Sequence, residues 1–171
     1  MAPDFNDPLG LLKACHQRIL GFCELLEKIV GHIAASSVDD DVKKAANKVH
    51  HYFSTAAILH HQDEELDLFP ILVGESLKIA TIIHELKQDH VNLDKTWKQL
   101  EPLLAKPDSI ENTDDFNQHV EKFCSTYREH IQKEEDNFLS MAQHMLSTEQ
   151  LQQLGNRMKD RRKPKASEER W

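Results

Sequence analysis

Two segments of this chain pair an imidazole with a carboxylate at one spacing. His60-His61-Gln62-Asp63-Glu64-Glu65 recurs 70 positions later as His130-Ile131-Gln132-Lys133-Glu134-Glu135, matching at the first His, the Gln and both Glu residues. On a helix, positions i and i+4 differ by roughly 40° in direction, so His60 with Glu64 and His130 with Glu134 form two-toothed clamps one turn apart. Glu135 serves His130 less well than Glu134, because five residues rotate a side chain by about 140°. Imidazole with carboxylate suits divalent cations, iron and zinc included, and no thiolate joins the pattern. Two clamps facing each other would hold two cations.

The elements that must position these clamps are helices. Gly (5) and Pro (6) are few and fall mostly near the ends or between apolar-periodic stretches, which favours an all-α chain. A first helix is expected after Pro8, capped by Asp7, with Leu11, Leu12, Cys15, Ile19, Phe22, Leu26, Ile29 and Ile33 at helical spacing until Ser36 and Ser37. A second begins at Asp39 to Asp41 and runs through Val49, Phe53, Leu59 and Leu66 until Pro70 forces an end nearby. A third spans about Ser76 to Leu104, a fourth about Thr113 to Met145, and Ser147 caps a short fifth. Short links make the long four an antiparallel up-down-up-down four-helix bundle. The expected division is a bundle over residues 1–146 and a short helix with a basic tail over 147–171. From Arg157 to Trp171 the tail has almost no apolar periodicity and is expected to fray into solvent.

In such a bundle the second and fourth helices run the same way on a diagonal, and the other two complete the shell. Depth separates the candidates. At 1.5 Å per residue, His16 and the His60/Glu64 pair lie about 12 Å from the shared end, His90 and the His130/Glu134 pair about 20 Å, and His32 about 36 Å. Depth does not exclude His84, but His90 shares the stripe of Ile83, Leu86, Leu93 and Trp97, with His84 toward its edge. The expected ligands are therefore His16, His60, Glu64, His90, His130 and Glu134. His50, His51, His61, His119 and His144 are expected at the surface. Seven residues from each of the four histidines, toward the bundle interior, stand Cys23, Phe53, Trp97 and Phe123, an apolar layer beneath the site, with Leu12, Leu68, Leu86 and Phe138 closing the other side. Four imidazoles and two carboxylates buried without a cation would be costly.

These residues resemble the hemerythrin-like, or HHE cation-binding, family through ACHQRI around His16, HHQDEELDLFP from His60, KQDHVNL around His90 and HIQKEE from His130, over residues 8 to 145. The resemblance implies a non-haem di-iron site with His16, His60, His90 and His130 as imidazole ligands and Glu64 and Glu134 bridging. The third helix lacks the HxxxH of the oxygen carriers, having Leu86 four before His90 and Asp94 four after. In that it looks more like the iron-cluster repair and bacterial HHE proteins, without the former's Cys-rich N-terminal segment. Asp94 or Tyr127 is expected to support the ligands from behind. The function so implied is binding or sensing of O2 or NO, or handling of iron in oxidative or nitrosative stress. The alternatives are a di-iron oxidase resembling ferritin-like proteins, which use more carboxylates, and a zinc-binding interaction module.

The formal charge of −8 has the wrong sign for a general nucleic-acid or acidic-membrane binder, and no P-loop occurs. No apolar run approaches the roughly 20 residues of a membrane span. An odd count of cysteines (Cys15, Cys23, Cys124) without a CxxC pair fits reduced thiols in the core, and the start of the chain lacks a signal peptide's basic and apolar regions. The expected setting is cytoplasmic, and the fifth helix leaves a homo-oligomer open.

Overall fold

A computed structural model describes residues 1–164. Among them the chain is all helical. Helix α1 (Pro8–Ala35) starts where Asp7 accepts the Gly10 amide at 3.0 Å and Pro8 supplies a φ suited to the first turn. Helix α2 (40–72) starts at Asp39, whose carboxylate accepts from the Val42 amide at 2.9 Å. Helix α3 (Leu77–Ala105) starts at Ser76, and helix α4 (113–145) at Asn112. Helix α5 (Thr148–Arg161) opens on a capping box between Ser147 and Gln150. Contacts run α1 to α2, α2 to α3, α3 to α4 and α4 back to α1, the expected up-down-up-down order. No described helix is long and apolar enough to cross a membrane.

Two helices depart from the regular coil that the sequence suggests. Helix α2 breaks at Thr55, where the hydroxyl bonds the His51 carbonyl at 2.6 Å and competes with the ladder. Below the break both α2 and α4 widen into one π turn, Asp63–Leu68 and Glu134–Leu139, before resuming as Phe69–Leu72 and Ser140–Met145. Helix α2 ends at Leu72, two residues past Pro70 and near the expected end. Proline does not cause the turn, because Ser140 occupies the matching place in α4. What the two turns share is the His-x-Gln-x-Glu-Glu lead-in, and each turn opens on or beside the inward Glu. The extra residue rotates everything after it, leaving Leu66 exposed while Leu68 and Phe69 are buried.

The apolar core is split in two. One cluster holds Ile19, Cys23, Phe53, Leu93, Phe123 and their neighbours; the other holds Leu12, Leu68, Leu86, Phe138 and part of α5. Leu154 and Met158 of α5 lie in the second cluster, so the division expected at residue 146 falls between helices that share one apolar cluster. At Gly155 a Cβ would run into the Phe5 backbone carbonyl, so α5 sits directly on the N-terminal segment. The expected fraying of the tail is corrected through Arg162. Arg161 and Arg162 both close on the buried Asp63 carboxylate, at 2.6 Å each, and Arg161 also reaches Asp67 at 2.7 Å. Charge opposite a buried carboxylate holds the end of this stretch, beside the buried Met158. The rest of the basic tail, 165–171, lies outside the described residues.

Candidate metal centre

Between the two apolar clusters lies one polar layer. His16 comes from α1, His60 and Glu64 from α2, His90 from α3, and His130 and Glu134 from α4, and none is more than 7% exposed. All four imidazoles turn Nε2 inward. Glu64 spans the layer: its Oε1 lies 2.7 Å from His60 and 4.0 Å from His16, and its Oε2 lies 3.1 Å from His90. Glu134 answers from the opposite side, with Oε2 3.2 Å from His130 and 3.4 Å from His16. The rings fall into two pairs, His16 with His60 and His90 with His130, each with centroids 4.9 Å apart. The six residues expected from the spacing thus meet in one place, while His84 and His32 face solvent.

Two donor groups emerge: His16, His60, Glu64 and Glu134 form one, and His61, His90 and His130 the other, with donor atoms in each within 4.8 Å of one another. Most of these inward atoms, including Nε2 of all four expected histidines and both oxygens of each Glu, are buried without a geometrically sound hydrogen-bond partner. Buried polar atoms are ordinarily satisfied. A layer of converging, unsatisfied N and O donors is what a pair of cations would complete.

Behind the layer, carboxylates hold the outer nitrogens. His16 Nδ1 meets Glu135 at 3.1 Å, His90 Nδ1 meets Glu65 at 2.8 Å, and His130 Nδ1 meets Asp89 at 3.2 Å, with Lys133 Nζ 2.9 Å from Asp89. An Nδ1–H donated to a carboxylate fixes the tautomer and leaves the Nε2 lone pair facing inward. These supports correct the expected ones, since Asp94 is exposed and pairs with Lys98, and Tyr127 stands beside His61 instead. The signal that points to them is the doubled Glu of each repeat. The first Glu turns inward, and the second clasps a histidine of the next helix, Glu65 that of α3 and Glu135 that of α1.

His61 is the other correction. The sequence reading puts it at the surface, yet its ring stacks on His90 with centroids 4.0 Å apart and its Nε2 is buried. One residue turns a helix by about 100°, so His61 leaves the His60 face, but inside a four-helix bundle that direction still leads inward, toward α3 and α4. Phe53, Trp97 and Phe123 do line a small cavity beside His61 and His90, of about 70 Å³, as expected of the apolar layer.

The electrostatics of the layer are those of an internal ion cluster. Burial alone would strip His90 of its proton, yet the close approach of Glu64, the hydrogen bond to Glu65 and the charges of Glu64 and Glu134 hold its pKa up at about 9. Burial and the charge of Glu134 push Glu64 up, but His60 and His90 outweigh them and bring it to about 2. Burial likewise opposes charge on His60 and Glu134, and the surrounding opposite charges win, raising the first and lowering the second. His61 goes the other way, far below its usual value, through burial and then the charge of His90.

These shifts set a pH dependence. His90, raised from 6.5 to about 9, contributes stability that is complete below 6.5 and is lost as pH rises through about 9; Glu64, lowered from 4.5 to about 2, contributes above 4.5 and loses that contribution as pH falls toward 2. Metal binding has the opposite slope on the alkaline side, because imidazole must shed its proton to ligate. Between pH 6 and pH 9 the melting temperature of chelator-treated protein is expected to fall while affinity for added Zn2+ rises. Thermal unfolding and competitive titration at the two pH values check both slopes.

Residues 7–142 match the family model described as the hemerythrin HHE cation binding domain. An uncharacterized protein of Haemophilus influenzae is 35% identical over 166 residues, covering 94% of this chain and 93% of that protein.

Proposed function

Since this chain belongs to the hemerythrin HHE cation-binding family, we propose that its buried layer binds two iron ions and serves to bind or sense O2 or NO, or to handle iron under oxidative or nitrosative stress. The observation that carries the reading is Glu64, whose two oxygens face different imidazole pairs, as a carboxylate shared by two cations must. Glu134 offers the second shared carboxylate. The donor set fits the group: imidazole nitrogens and carboxylate oxygens, three of the four expected imidazoles oriented from behind, and no thiolate in either donor group.

Bound iron would supply redox electrons and coordination positions for a diatomic molecule. The chain's own residues do the rest. Glu135, Glu65 and Asp89 hold three imidazoles in the ligating tautomer, and the two apolar clusters keep bulk water from the layer. The aromatic cavity beside His61 and His90 has room for a small apolar molecule and little else. With two inward carboxylates rather than the larger set of ferritin-like oxidases, the layer favours ligand binding over iron oxidation.

Protein purified from iron-supplemented cells is expected to carry about two irons per chain by elemental analysis. His60→Ala and His130→Ala, each removing a donor from a different imidazole pair, are expected to lose iron. In the diferric form, near-ultraviolet absorption should change on adding azide. Zinc in place of iron, or iron content indifferent to both substitutions, would overturn the assignment.

A further inference from the structure

We propose that His61 is a fifth imidazole ligand, completing the ion position formed by His90 and His130. The inference rests on the two-metal reading above and adds a residue to it. Three observations carry it. A donor nitrogen of His61 lies within 4.8 Å of those of His90 and His130, a spacing that lets three atoms share one cation. Its Nε2 is buried with no hydrogen-bond partner, a cost that stacking on His90 does not offset, since a phenyl ring would stack there without it. The cavity bounded by Phe53, Trp97, Phe123 and Tyr127 adjoins the ring, so no packed side chain locks His61 into the stack on that side.

The helix supplies the reason for two consecutive histidines. His60 and His61 project about 100° apart, the first toward His16 of α1 and the second toward His90 of α3. One turn of α2 therefore serves both ion positions, and the centre becomes unequal: His16 and His60 on one side, His61, His90 and His130 on the other. The His16/His60 position would then hold fewer imidazoles than the other.

The test uses full-length wild-type protein labelled with 15N in its imidazole rings, stripped of metal and titrated with Zn2+. Five imidazoles acquiring the shift of a metal-bound nitrogen, with the fifth resonance absent in His61→Phe, is the expected result. Four such imidazoles, none of them His61, would overturn the proposal while leaving the two-metal reading intact, and none at all would overturn both. His61→Phe keeps an aromatic ring in the stack. Its affinity for the second Zn2+ is expected to fall by at least about 10–100-fold, the loss typical of merely removing a ligand's supporting partner. In His61→Ala, added free imidazole should recover that ion. If either variant fails to fold, the count of shifted imidazoles in the wild type decides alone, because four overturns the proposal and five requires a ligand beyond His16, His60, His90 and His130.

Discussion

Replacing Glu64 by Gln is expected to abolish paired metal binding. The carboxylate is buried, sits 2.7 Å from His60 and 3.1 Å from His90, and is the one side chain that reaches both imidazole pairs from α2. Gln keeps the volume but offers one oxygen and no charge, so neither position keeps its anionic ligand from that helix. Loss of a supporting partner costs about 10–100-fold in affinity, and loss of a shared ligand should exceed that, more than about 100-fold for the second ion. Glu65→Gln is the informative contrast. It removes the negative charge behind His90 Nδ1, 2.8 Å away, without removing a ligand, so its effect should stay within the lower range. Zn2+ titrations of both variants against a chelator would give the ordering. Equal losses would mean that the inward and outward carboxylates share one role.

The second large effect concerns stability. Asp63 is fully buried and receives Arg161 and Arg162 together. Asp63→Ala leaves Arg162 without its carboxylate and Arg161 with Asp67 alone. Breaking a fully buried pair costs about 3–5 kcal/mol, and because Arg161 and Arg162 keep 17% and 27% exposure, about 2–4 kcal/mol is expected. For a chain of this size that lowers the melting temperature by roughly 5–15 °C. Because Asp63 precedes Glu64 in the π turn, the same change should also loosen the metal layer. Double-mutant cycles with Arg162→Ala, read by urea denaturation of metal-free protein, would show coupling if the pair acts as described. Additive losses would mean that α5 docks by Leu154 and Met158 alone.

Much of the site is legible in the amino-acid sequence. The i, i+4 spacing sets the directions of His60 with Glu64 and His130 with Glu134, and helix depth separates His16 and His90, at about 12 and 20 Å, from His32 at about 36 Å. The apolar residues seven positions away also fall where expected, because one helical face carries them all. What the sequence does not show is whatever depends on a neighbouring helix or on an irregular turn. His61 reads as a surface residue when rotation away from one ligand is equated with rotation out of the core, which holds for a two-layer surface and not for the middle of four helices. Glu65, Glu135 and Asp89 act across helix boundaries, and single-helix geometry cannot reveal a partner on another helix. The arginines at the end of α5 read as a solvated tail because their partner, Asp63, is about a hundred residues away and carries no apolar signature.

The split core has a thermodynamic consequence. An ordinary single core melts as one unit because every apolar contact leans on the next. Here two apolar bodies meet through a seam of mutually attracting ions, and hydrophobic cohesion alone does not bind one half to the other. The covalent run of the four helices and the charges in the seam carry that cooperativity. Filling the seam with cations would therefore do more than add binding energy to one site. It would couple the fraying of one half to that of the other, so that the sharpness of unfolding, and not only its midpoint, records whether the seam is filled.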